Sequence, residues 1–349
     1  MTDTTHGAAT ASDDLSADIA ALMNMIGGGA IAQVLHAIAA LHIADHLADG
    51  PLTAEEVAAT EGSHPRATYR LMRAAASLGL LSHEGGHSFA LTRRGTMLRT
   101  GVPGSLRSLT LALTGHAHWK SWELFPDAVR EGASQAKKAL GADIFAYYAR
   151  PENLQEAALF SEAMADLSGL VVQTAVAAID TADVSTVVDV GGADGQFVLT
   201  LLAQAPGLLG QVLDLPHATA RAAAEAERLG LSDRFSAVAG DFFVEVPGAD
   251  LYLLKTVLHD WDDSQCETIL RNCRSATHIG GRALVVETVV GEIGRPDFAT
   301  LSDMSMLAMT NGMERELGEF DSLFAASGWR RGRTCPVGGG YVGMELAAI

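Results

Sequence analysis

The sequence predicts an α/β fold, with a doubly wound, mostly parallel sheet in the C-terminal half and a helical, winged-helix-like region before it. From residue 186 onward, short β-branched runs alternate with segments of helical apolar spacing, which is typical of a parallel sheet covered by helices. The first run breaks into a glycine-rich turn that leads directly into a helix. The chain has 349 residues, enough for two domains of ordinary size.

We predict three segments along the chain. Residues 1–15 are polar and small and are expected to form a disordered tail. Residues 16–178 carry helical apolar spacing, interrupted by glycines at 27–29 that separate two helices. Residues 179–349 hold the alternating strands and helices. A long apolar helix near the start of a chain often serves a subunit interface, so we expect a homodimer.

Residues 52–95 have the pattern of a winged helix-turn-helix. Thr53 and Glu56 form a capping box for a first helix over 53–60, a second helix is predicted over 66–80, and residues 83–87 form a hairpin tip. The region is also locally basic, so a DNA-binding regulator with a ligand-sensing C-terminal domain is an alternative. The basic side chains are Arg66, Arg70, Arg73, Arg93, Arg94, Arg99 and Arg107.

The overall charge argues against that alternative. The formal net charge of −18 disfavours nucleic acid or an anionic membrane as the main partner, because both require a positive surface. The three cysteines show no paired metal-binding spacing, and their odd number fits reduced thiols. No apolar run is long enough for a spanning helix, and the N-terminal segment lacks the basic region and apolar run of a signal peptide. We therefore expect a cytoplasmic protein without a metal.

Polar side chains follow five of the predicted strands, at the edge where ligands bind in open parallel sheets. The first strand carries Asp189 and ends in the glycine turn, and the second ends in Asp214. The others end in residues 240–242, in Lys255 with residues 259–261, and in Glu287. Convergence of these groups on one edge predicts a site for a nucleotide-like ligand.

The chemistry of these residues suggests individual roles. An acid at the end of the second strand, Asp214, is placed to accept both hydroxyls of a ribose. Asp241 and Phe242 suit an adenine, the acid for its amino group and the ring for its face, and Trp261 suits the opposite face. A dinucleotide such as NAD would fit part of this pattern but leaves His259 and Glu287 unexplained.

From residue 187 onward, and also in its N-terminal half, the chain resembles the S-adenosylmethionine-dependent small-molecule O-methyltransferases of the plant caffeate and isoflavone type. It is closest to their bacterial relatives that act on polyketides and other aromatic natural products. The resemblance implies a Rossmann-like class I methyltransferase domain and an N-terminal dimerisation domain that roofs the pocket. The matching motifs are DVGGADG at 189–195, LDLPH at 213–217, GDFF at 240–243, LLKTVLHDWDD at 253–263, VVET at 285–288 and NGMERE at 311–316.

The resemblance also implies roles for individual residues. His259 corresponds to the general base, flanked by Glu287 and Glu314. The implied contacts of S-adenosylmethionine are Gly191, Asp214, Asp241, Phe242 and Lys255, with Trp261 beside the adenine and Ser168 near the methionine carboxylate. The implied lining of the pocket for a small aromatic acceptor is Phe160, Met164, Met306 and Met309.

Two positions depart from the family pattern. Ala193 replaces the third glycine of the loop, which is tolerable if its φ angle stays negative. Met313 replaces a basic residue. We expect His259, with an ordinary imidazole pKa of ~6.5, to take a proton from a phenol while Glu287 holds its other ring nitrogen. The acceptor itself stays open, as do N- or C-methylation and a non-methylating reaction on the same fold.

Overall fold

The computed structural model describes residues 5–278 and 280–349, and it divides the chain into two compact units with the boundary after Gly115. The sequence predicted this boundary after residue 178. The difference arises because the helix at 154–177 buries Val171, Val172 and Val176 in the same apolar core as Val337 and Tyr341 of the C-terminal strands. Its helical neighbours thus fold with the sheet and not with the winged helix.

The N-terminal unit is helical with one small sheet. A helix occupies residues 5–26, where a disordered tail was predicted for 1–15; residues 1–4 of that tail lie outside the described residues. The helices are α1 (Thr5–Ile26), α2 (Gly28–Ala40), α3 (Ile43–His46), α4 (Ala54–Glu61), α5 (Pro65–Ser77), α6 (Arg93–Thr96) and α7 (Arg107–Leu113). The strands are β1 (Leu52–Thr53), β2 (Leu81–Gly85) and β3 (Ser88–Leu91), in the antiparallel order β1-β3-β2.

The winged helix-turn-helix predicted for residues 52–95 is present. The Thr53–Glu56 capping box starts α4, with Glu56 accepting the backbone N–H of Thr53 at 2.7 Å. Two arginines of this basic region form hydrogen bonds within the unit. Arg94 donates to the carbonyl of Leu78, and Arg107 donates to the carbonyl of Ala39. These two side chains therefore stabilise local structure.

Among its described residues, the C-terminal unit contains ten α-helices and seven strands. The helices are α8 (His116–Glu123), α9 (Phe125–Glu131), α10 (Ala136–Leu140), α11 (Ile144–Tyr148), α12 (Leu154–Ala177), α13 (Gln196–Gln204), α14 (Pro216–Arg228), α15 (Asp263–Ala276), α16 (Phe298–Met309) and α17 (Leu317–Ala326). The strands are β4 (Thr186–Val190), β5 (Leu209–Asp214), β6 (Phe235–Ala239), β7 (Leu251–Lys255), β8 (Arg282–Thr288), β9 (Trp329–Gly338) and β10 (Tyr341–Ala348).

The seven strands form one sheet in the order β6-β5-β4-β7-β8-β10-β9. β4 to β8 are mutually parallel, whereas β10 runs antiparallel to both β8 and β9. The strand order reverses between β4 and β7, and ligands bind beyond the carboxyl ends of the strands at such a switch point. This architecture confirms the predicted doubly wound, mostly parallel fold.

Within the described residues, no single helix is both long and apolar enough to cross a bilayer. The segments Leu15–Ile26 and Gly28–Ala40 meet that criterion only when taken together, across a bend of 44°.

Candidate active site

The glycine turn after β4 forms a tight loop at the switch point. Gly191 has φ +68°, and a Cβ added there would lie 3.0 Å from Val257 and 3.5 Å from the ring of Phe242. A Cβ at Gly192 would lie 2.4 Å from the carboxyl group of Asp189. The loop therefore needs glycine both for its backbone conformation and for close packing against the next strand end.

Asp189 supports this loop from below. It is buried, one carboxyl oxygen accepts the backbone N–H of Val198 at 3.2 Å, and burial raises its pKa to about 7. Lys255, at the end of the neighbouring strand, donates to the hydroxyl of Thr256 at 3.0 Å. Burial lowers the pKa of Lys255, although the charge of Asp189 opposes that change. The opposite charges of Asp189 and Lys255 thus favour each other's ionised form beside the glycine turn.

Ala193 corrects one sequence expectation, because its φ is +51° and not negative. The left-handed conformation turns its backbone N–H toward Asp214, which accepts it at 2.8 Å. The other oxygen of Asp214 accepts from Leu215 at 2.6 Å. Ala193 thus adopts the left-handed backbone conformation that glycine adopts easily, and this conformation is strained for alanine.

We expect Ala193→Gly to stabilise the protein by about 0.5–1 kcal/mol, because glycine adopts φ +51° without strain. Urea unfolding measures the effect. The matched control is Ala178→Gly, since Ala178 has φ −86° at the end of α12. There the same change adds only backbone freedom to the unfolded chain and should destabilise. Equal destabilisation by both changes would contradict strain at Ala193.

Aromatic side chains line the next part of the site. The ring of Phe242 approaches Gly191, and Asp241 turns back to accept the backbone N–H of Phe243 at 2.8 Å. Trp261 packs edge-on against Phe243 with ring centroids 4.8 Å apart. Its ring also stacks against Phe145 of α11 at 6.0 Å. The rings of Phe242 and Trp261 are nearly perpendicular, with centroids 6.0 Å apart, and their contact with an adenine stays a prediction.

Ser168 lies on α12, where its hydroxyl donates to the carbonyl of Met164 at 2.8 Å. The next residue, Gly169, faces Gln196, the first residue of α13 after the glycine turn. Ser168 therefore lies near the glycine turn, but its described hydrogen bond is internal to α12.

His259 is the centre of a buried cluster of acids. Its Nδ1 lies 3.1 Å from Glu314 Oε1 and 3.8 Å from Glu287 Oε2, and Nε2 lies 3.9 Å from Asp260 Oδ1. Because a carboxylate only accepts, the bond to Glu314 assigns the Nδ1 proton and leaves Nε2 as the nitrogen able to exchange one. The sequence predicted Glu287 as the partner of the ring; the structure gives that position to Glu314.

Glu287 and Glu314 differ in their surroundings. Glu287 accepts the backbone N–H groups of Val257 and Leu258 with Oε1, at 3.0 and 2.8 Å, while Oε2 has no partner among the described residues. Burial raises the pKa of Glu287 to about 7, against the charge of His259. Glu287 therefore fixes the backbone of the loop that carries His259.

Glu314 is held by three side chains. Thr288 donates to it at 2.5 Å and Ser302 at 2.7 Å, in addition to His259. Burial would raise the pKa of Glu314, but the hydrogen bonds from His259, Thr288 and Ser302 outweigh burial and lower it. The carboxylate is thus ionised and fixed in place. Thr288 and Ser302 were not identified from the sequence, which offers no spacing signal for them.

The charges around His259 reverse the protonation state that the sequence predicted for its ring. Burial lowers the pKa of the imidazole, but the charges of Glu287, Asp260 and Glu314 outweigh burial and raise it to about 10. At neutral pH the ring therefore holds a proton, in contrast to the ordinary value assumed from the sequence. The cluster favours a positive charge at this point of the site.

His259, Glu287 and Glu314 also place ligand atoms within 4.8 Å of one another, close enough for a metal ion. The oxygens of Glu314 already accept from Ser302, Thr288 and His259. This hydrogen bonding fits an acid–base cluster better than a set of metal ligands, which need open lone pairs.

A buried arginine that the sequence did not single out closes the loop over residues 258–263. Arg315 donates to the carbonyls of Leu258 at 3.1 Å and Trp261 at 3.0 Å, and to Asp263 at 2.8 Å. Its side chain is 1% exposed. The arginine follows Glu314 directly, so one short segment holds both the histidine and its loop.

The four predicted acceptor contacts lie on two helices. Phe160 and Met164 are one turn apart on α12, and Met306 and Met309 are one turn apart on α16. Phe160 and Met309 share an apolar cluster with α8, α10 and α11. Helix α16 connects this cluster to Glu314, since Ser302 of the same helix contacts that carboxylate.

The donor set fits S-adenosylmethionine. Asp214 and Asp241 offer acceptor-only oxygens for ribose hydroxyls and an adenine amine, and Phe242 and Trp261 offer ring faces. The glycine loop permits the close backbone approach that a nucleoside needs. Together with the sheet order, these features define a class I S-adenosylmethionine-dependent methyltransferase.

The chain belongs to the O-methyltransferase family. Residues 122–330 match the O-methyltransferase domain, and residues 23–101 match the O-methyltransferase dimerisation domain. The winged helix-turn-helix lies within that second match, which is a dimerisation module. The cofactor is S-adenosylmethionine, and the resemblance stated from the sequence motifs is confirmed.

Three relatives show the extent of the similarity. The phenazine O-methyltransferase PhzM of Lysobacter antibioticus is 35% identical over 329 residues, covering 94% of this chain and 96% of the relative. The structure of the mitomycin 7-O-methyltransferase MmcR has a TM-score of 0.88 at 31% identity, covering 97% and 100% of the two chains. Human N-acetylserotonin methyltransferase, solved with S-adenosylmethionine, has a TM-score of 0.86 at 27% identity, covering 95% and 97%.

Proposed function

We propose that this O-methyltransferase methylates a phenolic hydroxyl of a small aromatic natural product, with His259 as the general base. The observation that carries the proposal is the pairing of His259 Nδ1 with the buried Glu314 at 3.1 Å, which leaves Nε2 for the acceptor. The relatives that act on phenazines and mitomycins support an aromatic natural product as the acceptor.

The residues of the site each contribute to the reaction. S-Adenosylmethionine supplies an electrophilic methyl group on a sulfonium, so the protein needs only to align the acceptor oxygen and remove its proton. Nε2 of His259 takes that proton, and Glu314 and Glu287 stabilise the imidazolium that results. Alignment contributes at most ~7–11 kcal/mol, and base catalysis a factor of about 10²–10⁴.

The high pKa of His259 means that the free histidine must first lose a proton before it acts as a base. A sulfonium bound beside the imidazole would oppose its positive charge and lower its pKa again. An acceptor that enters as a phenolate would also pair with the protonated ring. In both cases, the charges of Glu287, Asp260 and Glu314 hold the proton on His259 while the acceptor oxygen is negatively charged.

The acceptor pocket we propose is walled by Phe160 and Met164 on α12 and by Met306 and Met309 on α16. Its apolar character suits a flat ring system, and methionine side chains adapt to different shapes. Ser168, Asp214, Asp241, Lys255 and Trp261 are proposed to contact the cofactor along with Gly191 and Phe242, in the roles given from the sequence motifs.

The experiment pairs calorimetry with product analysis. We expect S-adenosylhomocysteine to bind the purified full chain and a panel of phenols to gain one methylene in the presence of S-adenosylmethionine, as detected by mass spectrometry. A gain of one oxygen, or a methyl group on nitrogen or carbon alone, would contradict phenol O-methylation and support the other reactions possible on this fold.

We also propose that the chain works as a homodimer through its N-terminal helices. Within the described side chains of α1, apolar residues face solvent, and the matched dimerisation domain begins in this helix. The exposed residues are Leu15, Ile19, Leu22, Met23, Met25 and Ile26. Sedimentation of the wild-type chain should give a dimer mass, and Ile19→Lys with Leu22→Lys should give a monomer. A wild-type monomer would contradict the proposal.

A further inference from the structure

One buried histidine outside the catalytic cluster lacks a hydrogen-bond partner. His118 lies on α8 and is 6% exposed, and its Nδ1 has no partner among the described residues. An unpaired buried ring nitrogen costs free energy, and such groups are uncommon unless a ligand or an ordered water meets them. The mechanism proposed above makes no use of this side chain.

The nearest carboxylate is already engaged and does not satisfy the ring. Glu156 accepts the backbone N–H of Ala117 with Oε1 and the hydroxyl of Tyr147 with Oε2, both at 2.9 Å. Burial lowers the pKa of His118 to about 4, although Glu156 opposes this. His118 is therefore a neutral imidazole at physiological pH, with one N–H and one lone pair to offer.

The ring adjoins the aromatic wall of the proposed acceptor pocket. Its centroid lies 6.3 Å from that of Phe160, whose ring in turn stacks against Tyr148 at 5.0 Å. Ala117, the preceding residue of α8, shares an apolar cluster with Met309 at the end of α16. From Ser302, which contacts Glu314, to Met309 the helix advances about 10 Å. The unpaired nitrogen thus adjoins Phe160, and α16 connects the cluster of Met309 with Ser302, which contacts Glu314.

We propose that His118 determines acceptor specificity by hydrogen-bonding a second hydroxyl of a fused-ring aromatic acceptor whose reacting hydroxyl lies at His259. The inference rests on the proposed function. A hydroxyl both donates and accepts, so it pairs with either tautomer of a neutral imidazole. An acceptor of two or three fused rings can carry its two hydroxyls farther apart than a single ring can, which leaves room for both contacts.

The test compares mono- and dihydroxylated probes. Naphthols and hydroxyanthracenes are titrated against their dihydroxy counterparts, using the full chain loaded with S-adenosylhomocysteine and calorimetric detection. In the wild type at least one dihydroxy probe should bind about 5–100-fold more tightly than its monohydroxy partner. His118→Phe and His118→Leu should both abolish this preference, because neither side chain can form the hydrogen bond. Their affinity for S-adenosylhomocysteine should stay within about threefold of wild type.

His116→Phe is the matched control, since it introduces the same side chain at an exposed position of the same helix and should keep the preference. A preference that survives His118→Phe and His118→Leu, or a wild type that binds every pair equally, would overturn the inference. Mass spectrometry of the same mixtures separates the two proposals. Methyl transfer without a His118-dependent preference removes only the role of His118. A His118-dependent preference without any transfer removes only the proposed reaction.

Discussion

His259→Gln is expected to lower kcat by about 10²–10⁴-fold while leaving the affinity for S-adenosylhomocysteine within about threefold of wild type. Glutamine retains an amide donor for Glu314 and a similar volume, but it cannot take a proton from the acceptor. Single-turnover methyl transfer and calorimetry measure the two quantities separately. Turnover that is unchanged, with cofactor binding intact, would remove His259 from the role of base.

A second histidine provides the matched control. His278 pairs with Asp250 through Nδ1 at 2.8 Å, much as His259 pairs with Glu314, but both residues precede their strands and so lie at the opposite edge of the sheet. His278→Gln should leave kcat unchanged. A loss of similar size in both variants would indicate a general effect on folding and not on proton transfer.

The pH dependence provides an independent test of the same residue. The pKa of His259 is raised to about 10, and a base acts only when it is unprotonated. The wild-type kcat/KM should therefore rise with pH above neutrality, toward a plateau near that pKa or lower if the sulfonium reduces it. In His259→Gln, any remaining rise should follow the pKa of the phenol used. Identical profiles for both proteins with several phenols would contradict this assignment.

Arg315→Met should lower the free energy of unfolding by about 2–4 kcal/mol, because hydrogen bonds from a buried charged group each contribute about 1.5–3 kcal/mol. The arginine is buried and satisfies the carbonyls of Leu258 and Trp261 as well as Asp263. Methionine fills a similar volume but removes the charge-assisted hydrogen bonds to both carbonyls, which keep only the backbone N–H of Trp261 and the weak thiol donor of Cys266. Urea unfolding measures the loss, and Arg315→Lys should recover only part of it because the guanidinium fork is absent.

Arg331 is the matched control for this prediction. It pairs with Asp321 at 2.6 Å, but the two side chains are 21% and 46% exposed. Because exposed ion pairs contribute little, Arg331→Met should cost no more than about 1 kcal/mol. Comparable losses of stability at both positions would show that the hydrogen bonds from Arg315 to residues 258–263 do not stabilise the protein more than an exposed ion pair does.

The fold was largely predictable because its signals are local. The β-branched run before the glycine turn, the capping box at Thr53 and the strand over Arg282–Thr288 all follow from neighbouring residues. The domain boundary was not predictable, because α12 packs on the sheet through contacts with β9 and β10 that follow it by more than 150 residues. Periodicity identifies such a helix but not its partner.

The candidate site was likewise predictable only where its residues stand in local sequence motifs. Asp214, Asp241 and His259 stand in motifs at strand ends, and the sequence placed them at one edge of the sheet. The partner of His259 and the anchors of Glu314 depend on side chains that meet only in three dimensions, and the sign of φ at Ala193 depends on Asp214 across the loop. The raised pKa of His259 likewise depends on several acids together, of which Glu287 and Glu314 are distant in the sequence.

The bond from Ser302 to Glu314 has a consequence for how this enzyme can change. The helix that carries Met306 and Met309, which we propose to line the acceptor pocket, also fixes Glu314, one of the acids that raise the pKa of His259. Under the proposed function, substitutions on α16 that reshape this pocket for a new ring system should therefore also change the protonation of His259. New acceptors should be gained most readily through α8 and α12, which leave that carboxylate undisturbed.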